Sequence, residues 1–274
     1  MLGLLVALLA ACGGPADSGT SMAVGAGPDP ESALLANVYA AALRSYGTPA
    51  HVETMPSPLG GLDSGQVSVV PGFTGRLLQT FAPATPDKSD EQVYKTMVGS
   101  LPEGVAAGDY TTAAEDKPAV AVTEATAKAW GGRDVATVVR QCGHLTLGAV
   151  RGARTPAAVG KCTLPPTREF ADDAALFDAL RKGQINAAWT TTADPAVPAD
   201  VLVLTDGKPT LIRAENVVPL YRRNGLTARQ VLAVNEVAGV LDTAALKQMQ
   251  QQVAGGKDPR AVAEGWLADN PIGR

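Results

Sequence analysis

Asp172-Asp-Ala-Ala-Leu-Phe-Asp-Ala-Leu-Arg-Lys-Gly-Gln-Ile-Asn-Ala-Ala-Trp189 is the stretch on which the fold turns. It reads as a helix from Asp172 to Lys182, closed by Gly183 and followed at once by a short apolar strand, Ile185 to Trp189. The paired acids at its start serve as cap and partner for the positive end of the helix dipole, while glycine supplies the left-handed stop. A helix that hands over to a strand through one glycine is half of an α/β unit.

The same alternation runs outward in both directions. Upstream, Met22-Ala-Val-Gly-Ala is a strand, and Asp29-Pro30 opens a helix that carries Leu35, Val38, Ala42 and Leu43 and stops at Gly47. Strands are expected at His51 to Met55, Gln66 to Val70 and around Tyr110 to Ala114, with helices over Thr74–Phe81 and Asp90–Leu101. Gly61 to Gly65 reads as a turn. Ala119-Val-Ala-Val is a fresh strand, Thr123 caps a helix through Trp130, Asp134 begins another that ends near Gly143, and Leu145 to Val150 returns to strand. Downstream, Val201-Leu-Val-Leu ends at Asp206-Gly207. After Pro219 three helices close the chain, the first with a capping box at Thr227-Ala-Arg-Gln230, the second capped by Thr243, the third opened by Asp258-Pro259.

Alternating strands and helices imply sheets covered on both faces. Two such blocks joined near Ala113–Pro118 and again near Leu204–Pro209 give two lobes with a double connection. Residues 22–114 with 207–274 form the first lobe and 115–206 the second. Ligand clefts favour such interlobe sites.

The N-terminus sets the expected compartment. Residues 1–11 are almost wholly apolar, too short for a membrane span yet long enough for a secretory signal. Leu9-Ala-Ala-Cys12 resembles the bacterial lipobox, so Cys12 is expected to carry the lipid and residues 12–21 to form a flexible tether. The chain is thus expected at the extracytoplasmic face of the cell membrane. Cys142 and Cys162, an even pair in an exported chain, read as a disulfide more readily than as a metal site. A net charge of −4 with no Lys/Arg cluster argues against a nucleic-acid partner.

Catalytic patterns are missing from the sequence. Its two histidines, His51 and His144, fall in different blocks, and no zinc-peptidase, phosphate-loop or nucleophile-elbow spacing occurs. Neither enzyme, cofactor nor metal is expected.

Several local strings, taken in order, resemble the glycine betaine/choline (osmoprotectant) substrate-binding proteins of ABC transporters. They are Gly25 to Leu35 with Glu31, Pro71-Gly-Phe-Thr-Gly75, Ala119-Val-Ala-Val-Thr123, Ala179 to Asp194, Val203 to Lys208 and Gly255-Gly-Lys-Asp-Pro259. The resemblance spans about Ala23 to Pro271. It implies a two-lobed periplasmic-binding-protein-like fold of type II, with two parallel or mixed sheets flanked by helices.

In that family tyrosines box a quaternary ammonium and an arginine holds a carboxylate, through ring–cation attraction and paired hydrogen bonds. Carried over, the box positions are Phe73, Pro118, Trp189 and the stretch Ala214-Glu215-Asn216, so two of four keep a ring. Arg76 stands where the family has threonine, Ser32 where it has glutamine, and Arg154 is the candidate carboxylate ligand. Phe73, Arg76, Arg154, Trp189, Ser32, Glu215 and Asn216 are the resulting ligand-site candidates. The resemblance implies a receptor that hands a small polar or zwitterionic solute to an ABC permease. The alternative is a degenerate binding domain acting as an envelope scaffold, which would show a cleft filled by side chains.

Overall fold

The structure, a computed structural model, describes residues 21–273. The expected signal, Cys12 and all of the tether but Ser21 lie outside them.

Two five-stranded mixed sheets organise the described chain. The first holds β1 (Met22–Ala26), β2 (Ala50–Thr54), β3 (Val69–Phe73), β4 (Val105–Ala107) and β12 (Val217–Arg222), in the order β2-β1-β3-β12-β4. The second holds β5 (Pro118–Thr123), β6 (Leu147–Val150), β9 (Arg168–Phe170), β10 (Ala187–Thr191) and β11 (Val201–Val203), in the order β11-β5-β10-β6-β9. Strands β7 (Ala158–Val159) and β8 (Cys162–Thr163) make a separate hairpin. In the first sheet β12 runs antiparallel to both β3 and β4. In the second β10 is antiparallel to β5 and parallel to β6.

Helices α1 (Pro30–Ser45), α2 (Pro58–Ser64), α3 (Thr74–Phe81) and α4 (Asp90–Gly99) precede the first crossing. Helices α5 (Glu124–Trp130), α6 (Ala136–Arg140) and α7 (Asp173–Arg181) accompany the second sheet, and α8 (Ala228–Val240), α9 (Thr243–Ala254) and α10 (Pro259–Asp269) follow the return. Helix α1 is apolar nearly all round because it is sandwiched, with Leu34, Leu35, Val38, Tyr39 and Leu43 wholly buried against the first sheet and the C-terminal helices. A second core, built on Val120, Val138, Leu147 and Trp189, fills the other half. The bond between Cys142 and Cys162 is present and staples the end of α6 to the hairpin beside that core.

Several expectations need correction. The strand expected at Tyr110 lies earlier, at Val105–Ala107; Thr111 is instead a buried turn residue whose hydroxyl donates to the Ala114 carbonyl. Strand β3 runs through Pro71-Gly72 and does not end there. Strand β12 was unexpected because Pro219 sits in its middle, yet Pro219 lies directly opposite Pro71 in the antiparallel register. Gly61–Gly65 is the last turn of α2 and its left-handed stop, not a free turn. The helix expected from Asp134 to Gly143 shrinks to α6 and a single tight turn at Cys142–His144. The cap of α9 is Asp242, whose carboxylate accepts from the Ala245 N–H; Thr243 instead donates its hydroxyl to the Ala113 carbonyl.

The two crossings lie side by side. The Asp116 N–H donates to the Glu215 carbonyl, and Glu115 bridges Asn216. Lys117 on the outgoing segment pairs with Glu115 at 3.3 Å and reaches Asp206 on the returning side at 3.6 Å.

Candidate solute-binding cleft

Between the sheets lies a cavity of about 520 Å³ with a wall from each half of the molecule. Glu31, Arg76, Glu215 and Gln250 form one wall; Pro118, Arg154, Asp173, Trp189, Thr190 and Asp194 form the other. A neighbouring hollow of about 510 Å³ shares Asp29, Glu31, Arg76, Arg154 and Glu215 and adds Ser32 and Phe73. A larger hollow, about 770 Å³, lies among α8, α9 and α10 and contains none of these groups.

Local structure explains how each group arrives. Asp29 caps α1 by accepting from the Ser32 N–H at 2.8 Å, and Pro30 occupies the first turn, which sets Glu31 at the rim. Ser32 itself accepts from the Gly27 N–H at 2.7 Å. Helix α3 begins at Thr74 with no side-chain cap of its own, and its Arg76 N–H donates to the Glu215 carboxylate at 2.8 Å. A Cβ on Gly75 would stand 2.5 Å from the Ala214 carbonyl oxygen, so only glycine lets α3 lie this close to the return segment.

Arg76 is the hub. Its guanidinium donates to Glu31 at 2.7 Å and to Asp116 at 3.3 Å, and it lies over the Phe73 ring, 4.2 Å from the centroid. Asp116 in turn accepts from the Ala193 N–H at 3.0 Å, which joins the outgoing crossing to the loop after β10. Gln250 on α9 donates to the other oxygen of Glu31 at 3.0 Å.

Burial dominates the acid–base behaviour of this wall. It pushes Glu31 from 4.5 up to about 8, helped by the charge of Asp116 and opposed by Arg76. It pushes Glu215 from 4.5 up to about 7, against the pull of Arg76 and, more weakly, Arg154. Burial works against the charge of Arg76, but its carboxylate neighbours outweigh it and its pKa rises. On the facing wall Asp173 is raised, first by burial and then by Asp194 and Asp172.

Most of the sequence-derived candidates gather here. Arg76, Arg154 and Glu215 line both hollows, Ser32 and Phe73 one, and Trp189 the other. Phe73 and Trp189 are only 4% and 3% exposed, so both also belong to the cores. Asn216 lines neither hollow: it is buried behind Glu215, its amide donating to the Thr111 carbonyl at 2.9 Å. Sequence reasoning missed Asp116, which fell within the joint expected near Ala113–Pro118, and also Asp173 and Asp194. The carboxyls of Asp173 and Asp194 follow α7 and β10 into the cleft, a placement that shows only once those elements face α1.

Two mixed α/β sheets, a paired crossing and a charged cleft between them define a two-lobed binding protein of the periplasmic-binding-protein-like type II fold. The chain belongs to the family of substrate-binding domains of ABC-type glycine betaine transport systems, whose profile matches residues 21–269. It is a family of transport receptors, not of enzymes.

Solved structures agree on the fold. Apo YehZ from Escherichia coli superposes with a TM-score of 0.71 at 20% identity over 92% of this chain and 99% of that one. A glycine betaine/carnitine/choline ABC transporter structure gives 0.75 at 16% identity, covering 91% and 98%. An ABC-transporter choline-binding protein in complex with choline gives 0.57 at 15%, covering 92% and 89%. No curated protein sequence matches the chain. Among the described residues no helix is long and apolar enough to cross a membrane.

Proposed function

We propose that this chain is the extracytoplasmic receptor of an ABC importer. It holds a small cationic or zwitterionic nitrogen solute, of the glycine betaine/choline kind or related to it, between its lobes and passes it to a permease. One observation supports this most: an open cavity of about 520 Å³ whose two walls come from different halves of the molecule, each with acidic and basic side chains. An open cleft favours the receptor over the scaffold alternative.

The lobes of this reading are 22–114 with 207–274, and 115–206. They hinge at the paired crossing, where Ile212 still packs on the second core and Ala214 already packs in a cluster with Val70, Leu77 and Val218 of the first half. Solute that touches both walls favours the closed arrangement by its differential affinity for it.

Arg154 tests the site. It has no hydrogen-bond or ion-pair partner among the described residues, and it faces the cleft from the second lobe. Arg154→Ala is expected to lower affinity for an acceptor-bearing solute roughly ten- to hundred-fold, the worth of a charge-assisted hydrogen bond, with an unchanged melting curve. Calorimetric titration beside thermal melting reads both, and equal affinities would remove Arg154 from the site.

The anchor belongs to the same proposal. Cys12 at the end of an apolar run carries the acyl chains, so Cys12→Ala is expected to move the protein from the detergent phase to the aqueous phase on partitioning. Recovery of both forms in the aqueous phase would end the lipoprotein reading.

A further inference from the structure

The cleft offers a cation almost no open aromatic face. The Phe73 ring is covered by the chain's own guanidinium, Arg76, at 4.2 Å. Trp189 is packed into the second core and 3% exposed. Pro118 has no aromatic ring. A fully methylated nitrogen has no N–H to donate and relies on such faces for its attraction.

Hydrogen-bonding groups are what the cleft does offer. On the second-lobe wall Asp173 is half-buried and pairs with no cation among the described residues. Among the described residues its neighbour Asp194 accepts only from the Thr190 hydroxyl and the Ala196 N–H. Burial and the charge of Asp194 both raise the pKa of Asp173, which marks Asp173 as short of positive charge. Across the cleft Glu31 accepts from Arg76 and Gln250.

Donors without partners stand on the same second-lobe wall. The indole nitrogen of Trp189 is buried and has no hydrogen-bond partner among the described residues, an unusual state for a buried N–H. Arg154 is likewise unpaired among the described residues. Carboxyls without a cation and an exposed arginine without a carboxylate, lining one wall, suit a ligand that carries both N–H donors and an acceptor.

Building on the receptor reading above, we infer that the cleft selects a solute whose positive nitrogen bears N–H bonds, a protonated amine or guanidinium, with a hydrogen-bond acceptor at its other end. Asp173 and Asp194 take the N–H bonds; Arg154 serves the acceptor. Arg76 fills the ring face that a trimethylammonium would need.

Matched solutes provide the test. Glycine and ethanolamine are titrated calorimetrically into the protein against their trimethylated counterparts, glycine betaine and choline, with arginine as a larger N–H donor. At least one N–H solute is expected to bind ten-fold or more tightly than either trimethylated one. Asp173→Asn with Asp194→Asn should weaken that solute at least ten-fold while the melting curve stays within a few degrees. Tighter binding of glycine betaine or choline would overturn the inference and leave the receptor reading standing. Binding of neither set to the folded protein would overturn both.

Discussion

Arg76→Ala is expected to cost the fold about 3 kcal/mol at pH 8 and markedly less at pH 5. The guanidinium touches Glu31 and Asp116 and lies beside Glu215, and removing it leaves three carboxyls packed together without their shared counter-charge. Breaking a buried pair from one side costs about 3–5 kcal/mol; the lower figure applies because about a third of the Arg76 side chain remains in water.

The direction with pH follows from the raised pKa values. Glu31 and Glu215 hold their protons in the fold up to about 8 and about 7, against 4.5 for an ordinary glutamate. Their contribution to stability is therefore complete below about pH 4.5 and is lost as pH rises through 7 and 8. Without Arg76 both values climb further, and the loss at alkaline pH deepens. At pH 5 the two glutamates are already neutral, so there is less charge to strand. Denaturant melts of both proteins at the two pH values measure this. Equal losses at pH 5 and pH 8 would mean that Arg76 acts by packing on Phe73 and not by charge.

Trp189→Ala is expected to cost about 3–5 kcal/mol, a drop in melting temperature of roughly 10 °C. The ring is 3% exposed and packs with Val120, Leu147, Ala187 and Ile212, so truncation opens a cavity on strand β10 beside the ligand wall. Trp189→Phe should recover most of that loss. Its indole nitrogen has no partner among the described residues, so phenylalanine forfeits volume but no hydrogen bond. An alanine variant that melts like the parent yet no longer binds solute would show that the ring belongs to the cleft alone.

Local chemistry is why much of the fold could be read in advance. Asp29, Asp172 and Thr227 cap their helices through their own side chains, and Gly47 and Gly183 stop helices in left-handed conformation, as their residue types demand. What escaped reading depends on pairing. Strand β12 holds the first sheet together, but its Pro219 reads as a breaker until the strand is seen opposite Pro71. Thr243 and Asp242 are both good caps, and only the tie from Thr243 to Ala113 decides between them.

The site divides in the same way. Arg76, Arg154 and Glu215 were reachable from the order of the strings around them. The stacking of Arg76 on Phe73 was not, because Arg76 leaves α3 toward partners from α1 and the outgoing crossing. Asp173 looked like a dipole partner for α7, and nothing in the linear sequence says which wall that helix end will face.

The central claim is that solute binds between the lobes. Hydrogen–deuterium exchange of the full chain, with and without the tightest solute from the matched set, tests it most directly. Protection is predicted on both walls at once, in residues 29–32 and 74–80 of the first lobe and in 150–154 and 189–195 of the second. Protection confined to residues 240–270, around the larger hollow among α8, α9 and α10, would contradict it.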